Sequence, residues 1–599
     1  MMKKQLITAT SLTLVSTLIL AAVYFLFGKE NIVLALAVII AIMNLAKKDF
    51  TINPKNEFIK LLVGFISLAT FSELANINIC FGIILNAIFL FTIGALYLDD
   101  LDNGYYYAFT NLYLYTLVFS VDTNQFPIRL LGVIFCAVLI MVLKLYVIKA
   151  NFKNKKMNLL VEMINVTNSK IENLSENKNN IEFNIKLEKL SNKLEDLLNN
   201  STDSNGNFIY QSKYLFDVLI TIEKINLEID KGVNYKKNEE LLNSIERSLN
   251  NLKLFITGKL TIDEAMSKLD EEKKIISNCN CNGEKLNLCL IDLMIISIRG
   301  YSVGDTEHKS FFEEIKITLA PKKIIKKVVN SFKEREETFY FNIRMVLAVT
   351  ITYGVGRMIN LEYYYWMVFS AFVVIQVNLR DTLLKGFKRL KGTIIGAGIS
   401  VIIFQYVDNM NLKIALIIIA VFCATLFKSY DKLMIFTTIC TLGVKDITSP
   451  SISIIGDRLI FVFVGITISI ILTYIIKPYK FSDECNKKLI KIKGNDRKIF
   501  NFIREKAARC NSVGYNNIRE IMLQNTLMIN YLNTISDNDN AIYIEFKMYH
   551  NRISVNSAFL YKLVVLGEKV DLDNYLKKRL IIDIEKDIDL IFNLKPSTI

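Results

Sequence analysis

Histidine is almost absent from this sequence: 599 residues include two, His308 and His550, beside a single tryptophan. No glycine-rich phosphate loop and no Ser/His/Asp order is present, so nucleophilic and phosphoryl-transfer sites have little to be built from. The nine cysteines are scattered, which argues against a disulfide framework. Their closest group, Cys279, Cys281 and Cys289, lacks both CxxC spacing and a nearby histidine. We therefore predict no enzyme activity, no metal site and no cofactor.

Charge is missing from long stretches of the chain. Hydrophobic residues make up 52% of it and the mean hydropathy is +0.33, more than a soluble domain of this size normally shows. The apolar residues concentrate in 1–150 and 341–480, whereas 151–340 and 481–599 are rich in Lys, Asn, Glu and Asp. We predict an all-α polytopic membrane protein with two six-helix transmembrane halves, 1–150 and 341–480, and two cytosolic helical domains, 151–340 and 481–599.

Twelve apolar segments are candidate membrane spans, since about 20 apolar residues cross a bilayer. The first half contains 6–27, 32–46, 58–75, 76–98, 103–121 and 126–147. The second half contains 343–358, 363–379, 392–407, 414–427, 433–444 and 459–476. A cleaved signal peptide fits less well, because 6–27 exceeds the roughly 7–15 apolar residues of such a peptide.

Basic connections alternate with neutral ones along these spans. The basic residues are Lys47, Lys48, Lys55 and Lys60 between spans two and three, and Arg380, Lys385, Lys388, Arg389 and Lys391 between spans eight and nine. Positive connections stay in the cytoplasm, so both termini and both polar domains are predicted to be cytosolic. This orientation, together with anionic headgroups, explains the net charge of +14 better than nucleic-acid binding does. Abundant Ile, Lys and Asn with six prolines fit an AT-rich genome, and the expected location is the bacterial cytoplasmic (inner) membrane.

The polar domains have the periodicity of helices. Apolar residues recur every three or four positions over 157–198, which predicts an antiparallel helix pair or a coiled coil. A turn-rich stretch, 199–207, precedes a helix over about 209–230, and Thr261 with Glu264 forms a capping-box signal. Three or four helices are predicted near the C-terminus. The plainest interpretation is a packing and oligomerisation unit, so we expect a homo-oligomer.

The segment 341–404 contains residues that are costly in a membrane. Arg344 begins one predicted span, and Trp366 lies near an interface, where tryptophan is common. Gln376 and Asn378 lie near a span's end, where amides must find partners in protein or in an aqueous path.

Arg389 precedes a run of small residues, Gly392, Thr393 and Gly396. A helix beginning near Gly392 would direct its N–H groups toward an anion, with Arg389 adding a full charge. Alternatively, the glycines only let neighbouring helices approach closely. A faint repeat relates the halves, because Arg129-Leu130 opens the sixth span as Arg458-Leu459 opens the twelfth.

These residues resemble the FUSC family, the fusaric acid resistance and aromatic acid exporter group. The matching positions are Arg344, Tyr365-Trp366, Gln376 with Asn378, Arg389, Gly392, Thr393 and Gly396, followed by Arg458, Gly465 and Lys477-Pro478. Two positions depart from the family pattern: Val377 stands where proline is frequent, and Met345 where histidine is common.

The resemblance and the cationic span ends imply an inner-membrane efflux transporter or conduit for small organic anions, such as aromatic carboxylic acids. The site residues implied are Arg344, Trp366, Gln376, Asn378, Arg389, Gly392, Thr393, Gly396 and Arg458. If transport is proton-coupled, Glu73, Asp446 and Asp457 are the candidate acids. Partners would be membrane lipid, the anion and an accessory envelope protein. The alternatives are an anion channel, or a membrane-anchored scaffold or sensor acting through its cytosolic helices.

Overall fold

The computed structural model describes most of the chain. The described residues are 2–45, 48, 50, 54–98, 104–175, 180–199, 210–230, 235–278, 284–302, 321–334, 337–407, 409–427, 429–448, 453–477, 481–509, 521–522, 525, 528–529, 532, 541–566 and 574–594. Over these ranges the fold is helical and contains no strand, which confirms the all-α prediction. Cys279, Cys281, His308 and the predicted turn at 199–207 lie outside the described residues.

The chain forms two compact units. We call Met1–Lys48, Pro54–Leu143 and Phe311–Phe481 the membrane unit, and Asp49–Asn53, Lys144–Ser310 and Ser482–Ile599 the polar unit. Both polar stretches of the sequence thus contribute to one unit.

The membrane unit begins with six helices: α1 Met2–Phe27, α2 Ile32–Asn44, α3 Pro54–Ile77, α4 Ile79–Tyr97, α5 Gly104–Val118 and α6 Phe126–Val142. Asn78 makes the corner between α3 and α4, because its side-chain oxygen accepts from the backbone N–H groups of Cys80 and Phe81. Position 82 requires glycine, because a Cβ there would lie 2.1 Å from the Ala75 carbonyl oxygen. The chain can therefore reverse within a few residues.

The polar unit takes the next six helices: α7 Lys149–Ser175, α8 Ile181–Asn199, α9 Tyr210–Asp230, α10 Tyr235–Ile256, α11 Ile262–Asn278 and α12 Glu284–Ser302. Helices α7 and α8 pack together, as predicted. The capping box is confirmed, since Thr261 N–H donates to Glu264 Oε2 at 2.8 Å and Glu264 N–H donates to Thr261 Oγ1 at 3.4 Å.

Seven more helices return to the membrane unit: α13 Pro321–Glu334, α14 Glu337–Met358, α15 Tyr365–Val374, α16 Leu379–Tyr406, α17 Met410–Leu426, α18 Tyr430–Thr448 and α19 Ser453–Ile475. Helices α14–α19 pack against the first six mainly through α14 and α4. Asn342 of α14 donates to the Phe91 carbonyl at 3.0 Å, and Tyr353 OH donates to Asn76 Oδ1 at 2.8 Å.

The last helices, α20 Phe481–Arg509, α21 Ala541–Leu566 and α22 Asn574–Asn593, belong to the polar unit. One hydrophobic core joins α7–α12 with α20–α22. Polar bridges reinforce it, with Lys224 Nζ donating to Asn556 Oδ1 at 2.7 Å and Lys562 lying 2.6 Å from Asp217.

Six helical segments of the described chain are long and apolar enough to cross a membrane: Ala9–Phe27, Pro54–Ile77, Ile79–Tyr97, Thr123–Leu145, Thr338–Met358 and Ile454–Ile475. Two shorter apolar segments are Tyr365–Val374 and Asn411–Leu426. The layout of twelve spans in two halves stays a prediction.

The predicted connection between spans eight and nine is helical, and its place between two spans stays a prediction. Residues 380–391 form the first turns of α16, which is 28 residues long. The physical reason is its N-cap, because the Asn378 side chain accepts from Asp381 N–H at 2.7 Å and starts the helix there. The Arg and Lys residues that follow are good helix formers.

Candidate functional site

Arg458 and Trp366 form a buried stack between α19 and α15. The guanidinium carbon lies 5.0 Å from the indole ring centroid, and each residue is 7% exposed. Arg458 Nε and Nη1 have no hydrogen-bond partner among the described residues. Burying such donors costs free energy unless a partner satisfies them. Arg458 therefore has donor capacity that the described protein atoms leave unused.

Arg389 reaches the same helix from α16. Its Nε donates to Ser370 Oγ at 3.1 Å, and its Nη1 donates to Tyr430 OH at 3.2 Å. Ser370 follows Trp366 by four residues and so lies on the same face of α15. The two guanidinium groups are close enough to repel each other electrostatically. The structure thus brings Arg389, Arg458 and Trp366 together at one place, which we call the arginine site.

Within the described residues, neither arginine of this site forms an ion pair with a carboxylate. Groups that interact electrostatically with one or the other include Lys385, the hydroxyls of Tyr365 and Tyr115, and the Cys440 thiol. Two neighbouring cations without a compensating acid favour an anion in the gap, because charge-assisted hydrogen bonds are the strong ones. The side chain of Asp446 lies outside the described residues.

Arg129, the arginine that the faint repeat pairs with Arg458, has the opposite surroundings. Its Nη1 lies 2.9 Å from Glu73 Oε1 and donates to the Phe119 carbonyl at 2.6 Å, and its Nε donates to Asn31 Oδ1 at 3.0 Å. Its Nη2 also donates to the Glu30 carbonyl at 3.2 Å, and a buried charge with a carboxylate and three further acceptors is satisfied in place. The first six helices thus pair their buried arginine with a carboxylate, whereas Arg389 and Arg458 have no ion-paired carboxylate among the described residues.

Arg344 differs from Arg389 and Arg458, because backbone carbonyl oxygens accept its hydrogen bonds. It is fully buried, and its Nη1, Nε and Nη2 donate to the carbonyls of Val377 at 2.6 Å, Ile476 at 3.0 Å and Lys477 at 2.6 Å. These carbonyls follow α15 and α19, where helix ends leave acceptors unpaired. Arg344 therefore ties three helices together.

Gln376 and Asn378 find partners within the protein. They lie in the break between α15 and α16, where Asn378 caps α16 and also donates to Asp381 Oδ2 at 2.7 Å. Gln376 donates from its backbone N–H to Thr382 Oγ1 at 3.0 Å and is half-buried. Helix α15 has only ten residues, a rise of about 15 Å, half of what a bilayer core needs.

The expectation that a helix begins near Gly392 is wrong, since this residue lies in the middle of α16. A Cβ on Gly392 would lie 2.7 Å from the Asp431 carbonyl oxygen, and one on Gly396 would lie 2.6 Å from that of Ile435. Thr393 donates its hydroxyl to the Arg389 carbonyl at 2.8 Å. These residues therefore bring α16 and α18 into close packing and present no free N–H groups.

Sequence reasoning missed Ser370, Tyr430 and Tyr115. Each is an unremarkable residue in an apolar helix, and only tertiary packing brings it to Arg389. The spacing of four residues between Trp366 and Ser370 was the one available signal, because it places both on one helix face.

Residues 350–472 match the family model described as fusaric acid resistance protein-like. The match runs from within α14 to within α19 and includes the whole arginine site. No curated protein and no solved structure matches the chain. The matched family is one of membrane transport, in agreement with the six apolar helical segments. Residues 350–472 are therefore identified as a region of the fusaric acid resistance protein-like (FUSC) family.

Proposed function

We propose that this protein exports small organic anions across the bacterial cytoplasmic membrane, with the arginine site as the place where the anion binds. The observation that carries the proposal is the pair of guanidinium groups, on Arg389 and Arg458, without an ion-paired carboxylate among the described residues. An anion held by both would satisfy Arg458 Nε and Nη1, which otherwise bear an uncompensated desolvation penalty.

Aromatic carboxylic acids are the substrate class that we propose. Beside the guanidinium of Arg458, Trp366 stacks on Tyr363 with ring centroids 5.3 Å apart and planes at 20°. Tyr365 meets the same indole at 5.2 Å. The cation can bind a carboxylate, and the rings beside it can contact the aromatic part of the same molecule. Ligand pockets commonly combine a few polar groups with an apolar lining in this way.

The experiment measures efflux of labelled benzoate and salicylate, with labelled benzamide as the uncharged control, from cells that express matched amounts of each variant. Arg389→Gln and Arg458→Gln remove the proposed anion contacts. Lys388→Gln is the matched control, because it removes a neighbouring positive charge that is exposed on α16.

We expect the parent protein and Lys388→Gln to lower the accumulation of the two acids but not of benzamide. Each arginine variant should lose roughly tenfold or more in efflux rate, since a charge-assisted hydrogen bond contributes about 1.5–3 kcal/mol. Equal efflux by all variants would place the anion elsewhere. No efflux by the parent protein at confirmed expression would favour the scaffold or sensor alternative.

A further inference from the structure

Helix α13 is amphipathic and ends two residues before α14 begins. Its sequence, PKKIIKKVVNSFKE, places Ile324, Ile325, Val328, Val329 and Phe332 on one arc of about 140°. The lysines at 322, 323, 326, 327 and 333 occupy the remaining arc. A helix with this division has two faces that need different surroundings.

Much of the apolar face of α13 is left exposed by the described protein. Ile325 is 61% exposed, Val329 43% and Phe332 52%. In water such a face would be unfavourable, since burying a large apolar side chain is worth about 1.5–3 kcal/mol. The adjoining segment Thr338–Met358 is a candidate membrane span, so a bilayer surface is a suitable surrounding for α13 instead.

The same face continues an exposed apolar stripe on α4, a candidate membrane span. Phe81, Ile84 and Ile88 are 53%, 60% and 60% exposed on one side of that candidate span. Phe91 extends the stripe by one turn, and its ring centroid lies 4.8 Å from that of Phe332. Phe339 of α14 closes the group, 5.4 Å from Phe332. The apolar surface therefore runs without interruption from the side of α4 onto α13.

We propose that α13 lies in the interface of the bilayer, with Ile325, Val329 and Phe332 among the acyl chains and its lysines on anionic lipid headgroups. The continuity with α4 argues for lipid as the occupant of the apolar face. The lysines argue for an anionic surface, because polybasic segments beside a membrane are held by acidic phospholipids. A helix held in this way would fix the entry of α14, which carries Arg344.

The depth of the helix is tested with the full chain reconstituted in vesicles of lipid brominated on the upper acyl carbons, which quenches nearby tryptophan. In a Trp366→Phe background, Ile325→Trp places the only tryptophan on the apolar face. Asn330→Trp is the matched control, about 140° around the helix. We expect the probe at 325 to be quenched at least about twofold more than the probe at 330. Equal quenching at both positions would overturn the proposal.

The headgroup preference is tested in mixed vesicles in which either phosphatidylglycerol or phosphatidylcholine carries the bromine. With Ile325→Trp we expect about threefold stronger quenching by the brominated anionic lipid, decreasing at high salt. Substitution of Lys322, Lys323, Lys326 and Lys327 by Gln should remove the preference. The control substitutes Gln for four exposed lysines of the polar unit, Lys186, Lys189, Lys193 and Lys268, and should retain it. Absence of any preference in the parent would refute the anionic partner, and equal loss in the control would refute the role of α13.

Discussion

Arg129 Nη1 lies 2.9 Å from Glu73 Oε1. This ion pair distinguishes Arg129 from Arg458, the arginine that the sequence repeat relates to it. Arg129 is fully buried with its charge compensated, whereas Arg458 is buried against Trp366 with two unused donors. The same residue type at related positions thus serves packing in one place and leaves a positive site in the other. This asymmetry is the reason to look for anion binding among α14–α19.

The Arg129–Glu73 pair should contribute measurably to stability. In Glu73→Ala the guanidinium remains buried without its carboxylate, and we expect a loss of about 3 kcal/mol in the free energy of unfolding. The measurement is the apparent Tm of the purified chain in detergent. Asp122→Ala is the control, since that carboxylate is exposed and makes no capping hydrogen bond. A Tm unchanged in Glu73→Ala would show that other acceptors suffice for Arg129.

Arg344 should not be replaceable by lysine. Its guanidinium reaches carbonyls beyond the ends of both α15 and α19, whereas an ammonium is a single point donor. Arg344→Lys should therefore lower the apparent Tm, with about 2 kcal/mol lost for the unpaired carbonyls. Arg380→Lys, at an exposed position of α16, provides the comparison and should change little. Similar Tm values for both variants would contradict a clamping role.

Much of the helical framework follows from local sequence. Apolar runs and three- to four-residue periodicity predicted the helices of both units, and the Thr261–Glu264 capping box gave a helix start that the structure confirms. The helix start expected near Gly392 is wrong by about thirteen residues, because the basic residues at 380–391 suggested a connection and α16 begins at Leu379. The signal that could have corrected this was Asn378 followed three residues later by Asp381, a pattern typical of helix starts.

The arginine site was predictable only in part. Arg389, Arg458 and Trp366 were singled out because charges and a lone tryptophan are conspicuous in apolar helices. Their partners Ser370 and Tyr430 come from other helices, and no local pattern encodes which faces will meet. The different surroundings of Arg129 and Arg458 are likewise a result of tertiary packing.

Gly396 and Gly398 of α16 should respond differently to alanine. A Cβ on Gly396 would lie 2.6 Å from the Ile435 carbonyl oxygen and 2.8 Å from Thr438 Cβ, whereas Gly398 has nothing within 4 Å. Gly396→Ala should destabilise by about 1–3 kcal/mol through overpacking. Gly398→Ala should be neutral or stabilise by up to about 1 kcal/mol, because alanine is the better helix former. Paired Tm measurements in detergent decide this, and equal shifts would contradict the close packing of α16 on α18.

Glu223 should make the polar unit less stable as the pH rises. Burial raises the pKa of this carboxyl on α9 to about 7, although a hydrogen bond from Ser191 acts in the opposite direction. A folded-state pKa above the unfolded value means that the folded state binds the extra proton. The contribution is therefore present below about pH 4.5 and is lost as the pH rises to about 7, a change of about 1–3 kcal/mol.

The measurement is hydrogen exchange of the full chain, with the protection of peptides from α8 and α9 corrected for intrinsic rates at about pH 5 and about pH 8. The parent should lose protection in these helices at the higher pH. Glu223→Gln, which cannot ionise, should remain protected at both. Glu182→Gln is the control, an exposed acid on α8, and should behave like the parent. If Glu223→Gln keeps the pH dependence of the parent, another group is responsible for it.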